Sequence, residues 1–160
     1  ERVTTGCARG VMPVVSTARI FSTMSKKLFM MPKLAKYAAS SKKWLDLFDF
    51  DVRNITTSSD TISCTISFPE KLTGNEGIIH GGITCFVIDS IAGIFAMISH
   101  NNSSQKALTK NISVSYLRPI TPDIVYTITA TKSSDSEIKV IITDTEGKEM
   151  SIGIVEIIFK

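Results

Sequence analysis

The sequence predicts an α+β domain in which an antiparallel sheet of about six strands wraps round one long central helix. The helix is predicted by an apolar run between Ile83 and Ser99 that contains no proline. The strands are predicted by two alternating segments before that run and four after it. Because short turns join the last three segments, these are expected to pair as an antiparallel meander.

Residues 1–40 form a basic extension rich in Arg, Lys, Ser, Thr and Ala. Residues 1–43 carry a net charge of +8, whereas the rest of the chain carries −5. This composition is typical of an organelle transit peptide, and a disordered basic tail or untranslated upstream sequence is the alternative. We therefore predict mitochondrial localisation, with a cytoplasmic one as the alternative, and a folded domain over residues 41–160.

The first elements of the predicted domain precede the central run. Apolar residues recur at three- and four-residue spacings in Lys33–Phe50, which predicts a short amphipathic helix over the end of the sheet. Two strands are expected next, at Val52–Thr57 and Thr61–Phe68, and Pro69 ends the second. A turn over residues 73–77 then leads into the central segment.

The central segment passes through His80-Gly81-Gly82 and continues as the apolar run. Apolar residues occur on all sides of it, which predicts a helix buried on most sides. The run is too short and too polar in its middle to favour a membrane span, which needs about 20 apolar residues.

Four alternating segments follow a polar loop at residues 100–104. Each has the two-residue period of a strand with one buried face. They are Ala107–Leu117, Ile124–Lys132, Glu137–Asp144 and Met150–Phe159.

Asp89 is the unusual residue of the central helix, because a carboxylate is rarely buried without a partner. Small residues share its side of the helix and leave room for a ligand or another backbone: Cys85, Ala92, Gly93 and Ala96. At the helix start, the first N–H groups are free to hold an oxyanion. The alternative is a helix opened by glycines, with Asp89 bonded to a neighbouring strand.

Two sequence patterns together resemble the hotdog-fold thioesterase superfamily. The first pattern is Asn75, Gly77, His80, Gly81, Gly82 and Asp89. The second is the segment TKNISVSYLRP at residues 109–119, which resembles the strand after the family's helix. The similarity extends over roughly residues 44–160 and is greatest to the small acyl-CoA thioesterases of the phenylacetate pathway and of mammals. It implies a hotdog fold and hydrolysis of an acyl-CoA.

The resemblance also implies roles for individual residues. Asp89 would be the general base that activates water, or the nucleophile. The Gly81 backbone N–H would polarise the thioester carbonyl, as preorganised donors do in acyl transfer. Thr109 matches the position that orients the water. Asn75 matches a residue that helps at the carbonyl, although it stands one residue closer to His80 than in some relatives.

His80, Gly82 and Arg118 are the predicted substrate-binding residues. His80 is expected to shape the loop rather than act as a base, since no acid or nucleophile stands near it in sequence to form a triad. Arg118 could contact the phosphates of CoA, because Arg is suited to phosphate recognition. An equal alternative is that Arg118 is simply a solvated surface residue. Surface solvation is the simpler interpretation of Lys110, and core packing that of Cys85.

Several classes of function are disfavoured by the sequence. The cysteines lack metal-ligand spacing and no Gly-rich nucleotide loop is present, so no metal or cofactor is expected. The basic residues lack a nucleic-acid-binding motif. Two alternatives on the same fold remain: a non-catalytic acyl-CoA-binding subunit, which the intact Asp89 disfavours, and an acyl-thioester dehydratase, whose His-Phe-Pro signature is absent.

The spacing of two predicted catalytic groups bears on the oligomeric state. Gly81 and Asp89 are separated by eight residues, or roughly 12 Å along a helix axis. A thioester needs its oxyanion donor and its base each within about 3 Å of the atoms they serve. One helix cannot provide both, so we predict a homodimer with shared active sites. The family resemblance also implies this dimer, and with it an assembly as a dimer of dimers.

Overall fold

A computed structural model of the chain describes residues 51–74, 76–100 and 105–160. Within these ranges it contains one long helix and six strands. They are β1 (Asp51–Thr57), β2 (Thr61–Ser67), α1 (Gly81–Ser99), β3 (Ala107–Tyr116), β4 (Val125–Ser134), β5 (Glu137–Thr143) and β6 (Glu149–Phe159). The predicted basic extension, the helix predicted at residues 33–50, the boundary at residue 41 and Asn75 all lie outside the described residues.

The six strands form one antiparallel sheet in the order β1-β2-β4-β5-β6-β3. The predicted meander of β4, β5 and β6 is confirmed. After the helix, the chain enters the sheet at its far side, where β3 pairs with β6. Strand β3 therefore has a described partner on one side only, and it is an edge strand of the sheet.

The hydrophobic core lies between α1 and the facing side of the sheet. Alternate residues of the central strands point into it, and Ile128, Val140 and Val155 are completely buried. The helix contributes a stripe of buried residues at spacings of mainly three and four: Thr84, Val87, Ile88, Ala92, Phe95 and Ala96. This arrangement confirms the predicted fold class of one long helix packed on a six-stranded antiparallel sheet.

The helix is less buried than its composition predicts. Six of its 19 residues are buried. Five other large apolar side chains pack at the margin of the core and stay half-exposed: Ile83, Phe86, Ile91, Ile94 and Ile98. The physical reason is that a single sheet covers one side of a helix, and an all-round apolar helix needs a second surface.

Among the described residues, α1 is the one helix long and apolar enough to cross a membrane. It instead contacts the four strands β3 to β6. These contacts identify it as the core helix of the domain.

A glycine in β6 allows the helix to approach the sheet closely. A Cβ atom at Gly153 would overlap with Cγ2 of Ile88, since it would lie much closer than packed carbon atoms can come. Ile88 is the residue before Asp89. This contact therefore also fixes the point at which the carboxylate leaves the helix.

Candidate active site

A bulge in β3 determines which of its side chains face the helix. The register with β6 shifts between Thr109 and Asn111, so Lys110 is the extra residue of the strand. In a regular strand, Thr109 and Tyr116 would point to opposite faces, because they are an odd number of residues apart. The bulge inserts one residue and places both on the helix side.

The first pair of site residues consists of Asp89 and Thr109. The Thr109 hydroxyl donates to Oδ1 of Asp89 at 2.6 Å, a short distance typical of a bond to a charged carboxylate. Asp89 is half-buried rather than buried as the sequence predicted. Among the described residues, Thr109 is its one hydrogen-bond donor, which leaves acceptor capacity on the carboxylate for a water molecule.

The helix N-terminus holds three of the predicted residues together. His80 is the N-cap, and its Nδ1 accepts a hydrogen bond from the Gly82 N–H at 3.0 Å. The Gly81 N–H donates to no residue that the structure describes, so it remains available for an oxyanion. Because Nδ1 accepts, the proton of the neutral imidazole lies on Nε2. This geometry supports a loop-shaping role for His80.

Tyr116 is the site residue that sequence reasoning missed. Its hydroxyl donates to the carbonyl oxygen of Gly81 at 2.9 Å. Its ring lies so close that a Cβ atom at Gly81 would sit 3.3 Å from the ring carbon Cζ. The available signal is the Tyr-Leu-Arg-Pro motif, but regular alternation along the strand would place Tyr116 on the opposite face from Thr109.

Cys85 lies one helical turn from both Gly81 and Asp89. Burial, and secondarily the negative charge of Asp89, raises the pKa of its thiol. Burial raises the pKa of Cys64, which lies in the core, to about 12. Both thiols are therefore protonated at neutral pH, which disfavours either as a nucleophile.

The basic residues Arg118 and Lys110 are both exposed. Arg118 follows β3 at the Gly81 end of the sheet, where its Nη1 donates to the carbonyl oxygen of Glu149 at 2.5 Å. Lys110 is exposed and pairs with Glu156 at 3.0 Å. Its ion pair accounts for Lys110 as a surface residue.

The chain thus carries two separate groups of site residues, Asp89 with Thr109 and the Gly81 end of the helix, about 12 Å apart along the axis. A cavity of about 450 Å³ lies at the other end of α1, between the helix C-terminus and the turn from β4 to β5. It contains none of the predicted site residues. Within the described ranges, no group of three or more His, Cys, Asp or Glu residues could hold a metal ion.

The chain is similar to known thioesterases in sequence and in fold. The model of the thioesterase superfamily matches residues 76–150. Comparison with curated proteins gave no match. Many solved structures, by contrast, are similar in fold.

Three of these solved structures are thioesterases by name. Thioesterase superfamily member 2 from mouse is 20% identical, with a TM-score of 0.64 over 79% of this chain and 94% of that one. A point mutant of a Pseudomonas aeruginosa thioesterase is 15% identical, with a TM-score of 0.67 over 81% and 94%. A hypothetical thioesterase of Streptococcus pneumoniae, solved with coenzyme A, is 18% identical, with a TM-score of 0.58 over 69% and 88%. At such identities the likeness establishes the fold. Together with the family match, it confirms the resemblance to hotdog-fold thioesterases.

Proposed function

We propose that this chain, a hotdog-fold protein whose sequence matches the thioesterase superfamily, hydrolyses an acyl-CoA thioester to a free acid and CoA. The observation that carries the proposal is the 2.6 Å hydrogen bond from Thr109 to Asp89. It joins the two residues for which the family resemblance implies water activation. The coenzyme A in the Streptococcus pneumoniae structure supports the class of substrate.

In the proposed reaction, Asp89 acts as the general base. Thr109 holds one carboxylate oxygen by its hydroxyl, and the other oxygen accepts a proton from water. The water oxygen forms a bond to the thioester carbon while the carbonyl electron pair moves onto the carbonyl oxygen. Collapse of this intermediate breaks the C–S bond, and the proton passes to the CoA thiolate. Direct attack by Asp89, giving an anhydride that water opens, is the second route for the same residues.

The proposed oxyanion donor is the Gly81 N–H of a second copy of the chain. The donor and Asp89 of one protomer lie about 12 Å apart, too far to serve one carbonyl. Strand β3 is an edge strand that carries Thr109 and Tyr116. Two copies joined along β3 by a two-fold axis would bring each helix start towards the partner's Asp89. The half-exposed apolar residues of α1 would supply part of the buried interface.

Arg118 is the proposed contact for the CoA phosphates. Its guanidinium is exposed at the Gly81 end of the sheet, and only one of its five N–H donors is used by Glu149. The planar group suits bidentate phosphate binding.

The hydrogen bond between His80 and Gly82 at the helix start weighs against a dehydratase. Such a reaction would need His80 as a base, but Nδ1 is occupied by the Gly82 N–H and Nε2 carries the proton. His80 therefore cannot accept a proton without losing its cap.

A hydrolysis screen tests the proposed function. Purified protein is assayed against acyl-CoAs of varied length and aromaticity, with a thiol reagent detecting released CoA. Asp89→Asn should keep the fold and lose about 10²- to 10⁴-fold in activity. The matched control is Asp60→Asn, which changes an exposed carboxylate in the turn between β1 and β2. Binding of acyl-CoA without any hydrolysis would instead identify a non-catalytic acyl-CoA-binding subunit.

A further inference from the structure

We infer that Tyr116 is a positioning residue that holds the oxyanion donor in place, by fixing the peptide unit between Gly81 and Gly82. This inference rests on the proposed function for its catalytic consequence. It rests on the structure alone for the contact itself. The Tyr116 hydroxyl donates to the Gly81 carbonyl at 2.9 Å, and the Gly82 N–H of the same peptide unit donates to His80 Nδ1 at 3.0 Å.

The Gly81 N–H needs this restraint because it belongs to a glycine. The Gly81 N–H belongs to the preceding peptide unit, whose carbonyl at His80 is bonded by the N–H groups of Ile83 and Thr84. The two peptide units meet at the Cα atom of Gly81. Glycine permits a wide range of backbone angles, so the helix by itself restrains this junction weakly. Anchors on both sides are needed to aim the N–H in one direction.

Tyr116 supplies two of these restraints. Its hydroxyl holds the oxygen of the second peptide unit, and its ring covers the Cα atom of Gly81, where a Cβ atom would lie 3.3 Å from Cζ. The sheet fixes the position of the Tyr116 backbone, which pairs with that of Ser151, a buried residue of β6. The N–H of Gly81 is thereby held ready for a developing negative charge, which is how preorganised donors accelerate acyl transfer.

The role is specific to tyrosine. Phenylalanine at this position would keep the ring against Gly81 and lose only the hydrogen bond. A change of Tyr116→Phe therefore separates positioning by the hydroxyl from packing by the ring. The control is Ser115→Ala, which alters the neighbouring exposed residue on the opposite face of β3.

The first measurement needs no substrate. In parent, Tyr116→Phe and Ser115→Ala proteins, NMR records the carbonyl ¹³C shift of Gly81 and the hydrogen-exchange rate of the Gly82 amide. We expect Tyr116→Phe to move the carbonyl shift and to speed exchange at Gly82 by about 3- to 10-fold, the range of one lost hydrogen bond. Amides in the middle of α1 should keep their parental rates. The inference would be overturned if Tyr116→Phe kept both the parental carbonyl shift of Gly81 and the parental exchange rate of Gly82.

The second measurement is the rate of hydrolysis of an acyl-CoA that the parent cleaves. Tyr116→Phe should lower kcat by about 3- to 10-fold and leave KM within about twofold, because the donor acts on charge that develops in the transition state. If Tyr116→Phe speeds exchange of the Gly82 amide but leaves kcat unchanged, the positioning role is overturned. A parent protein that cleaves no acyl-CoA would overturn the proposed function, while the NMR result would still decide whether Tyr116 holds this peptide unit.

Discussion

The Thr109 hydroxyl reaches Oδ1 of Asp89 at 2.6 Å, across 20 residues of sequence and from strand to helix. A serine or threonine hydroxyl so placed fixes the carboxylate and leaves its second oxygen for water. The contact depends on the bulge at Lys110, which turns Thr109 towards the helix. The hydroxyl, the bulge and the charge of the carboxylate can each be changed separately.

Thr109→Val should lower kcat by about tenfold with little change in KM. Valine has nearly the shape of threonine but cannot donate, and a hydrogen bond to a charged group contributes roughly 1.5–3 kcal/mol. We expect the lower end of that range because Thr109 is exposed. Thr109→Ser keeps the hydroxyl and should recover most of the rate. Equal loss in both variants would show that shape, not the hydrogen bond, is what Thr109 contributes.

The overall fold could be predicted from the sequence because it depends on local periodicity. Alternation located the strands to within a few residues, and the proline-free run located the helix. The edge position of β3 did not follow, because its partner β6 stands far along the chain. Strand pairing at that separation is decided by the packing of the whole sheet.

The candidate site was only partly predictable, and the bulge is the reason. In a regular strand the side chains alternate between the two faces, so Thr109 and Tyr116 would point to opposite faces. The extra residue Lys110 reverses the facing of the side chains on one side of the bulge relative to the other. The family resemblance implies a role for Thr109 without this geometry, whereas the Tyr-Leu-Arg-Pro motif alone does not show that the Tyr116 hydroxyl lies beside Gly81.

Deleting Lys110 should abolish most activity while the fold survives. Without the bulge, either residues 107–109 or residues 111–116 must turn over. The longer part packs Ile112 and Val114 against the core, so the shorter part should turn and carry Thr109 away from Asp89. The loss in the hydrolysis assay should be at least as large as in Thr109→Val.

Lys110→Ala is the matched control for that deletion. It keeps the bulge and removes only an exposed ion pair with Glu156, which contributes about 0–1 kcal/mol. Its activity and thermal stability should stay close to those of the parent. A deletion variant that hydrolyses acyl-CoA at the parental rate would refute the role assigned to the bulge.

The reactivity of Cys85 should report the charge of Asp89. Burial and then that charge raise the pKa of this thiol above its ordinary value of 9.0, so alkylation at pH 8 should be slow and should speed up as the pH rises. Asp89→Asn removes the negative charge, lowers the pKa and increases the thiolate fraction. Alkylation at pH 8 should then be a few-fold faster.

Peptide mapping by mass spectrometry measures this reaction separately for each cysteine. Cys64 should stay unmodified, since it is buried and its pKa is about 12. Thr109→Val, which retains the carboxylate, should leave Cys85 within about twofold of the parental rate. If Cys85 is alkylated no faster in Asp89→Asn than in the parent, the carboxylate does not raise the pKa of Cys85.

Residues before about Lys33 should be dispensable for folding and for hydrolysis, because they lack core periodicity. A chain that begins at Lys33 is expected to match the full chain in thermal stability and in kcat/KM. Fusing residues 1–40 to a fluorescent protein tests mitochondrial targeting independently. A diffuse cytosolic signal would contradict the targeting prediction, and loss of the fold on truncation would show that the removed segment belongs to the domain.

Mixing of two inactive variants should restore activity if the active site is shared between copies. One variant is Asp89→Asn. The other is Gly81→Pro, which removes the proposed donor but suits the first residue of a helix. His80 before it has a ψ of 133°, as proline requires of its predecessor. In a mixed dimer one site carries both lesions and the other carries none, so random pairing of equal amounts should recover about a quarter of the parental activity.

A second mixture distinguishes a shared active site from one that each copy contains by itself. Equal amounts of parent and an Asp89→Asn/Gly81→Pro double variant contain mixed dimers in which every shared site has one lesion. Only the parental dimers should then be active, which gives about a quarter of the parental activity, whereas self-contained sites would give about half. If activity is recovered in the first mixture and the second shows about a quarter of the parental activity, then Gly81 of one copy and Asp89 of the other act on the same substrate. No recovery in the first mixture, with both variants folded and mixed dimers present, would mean that the two residues do not act together across an interface.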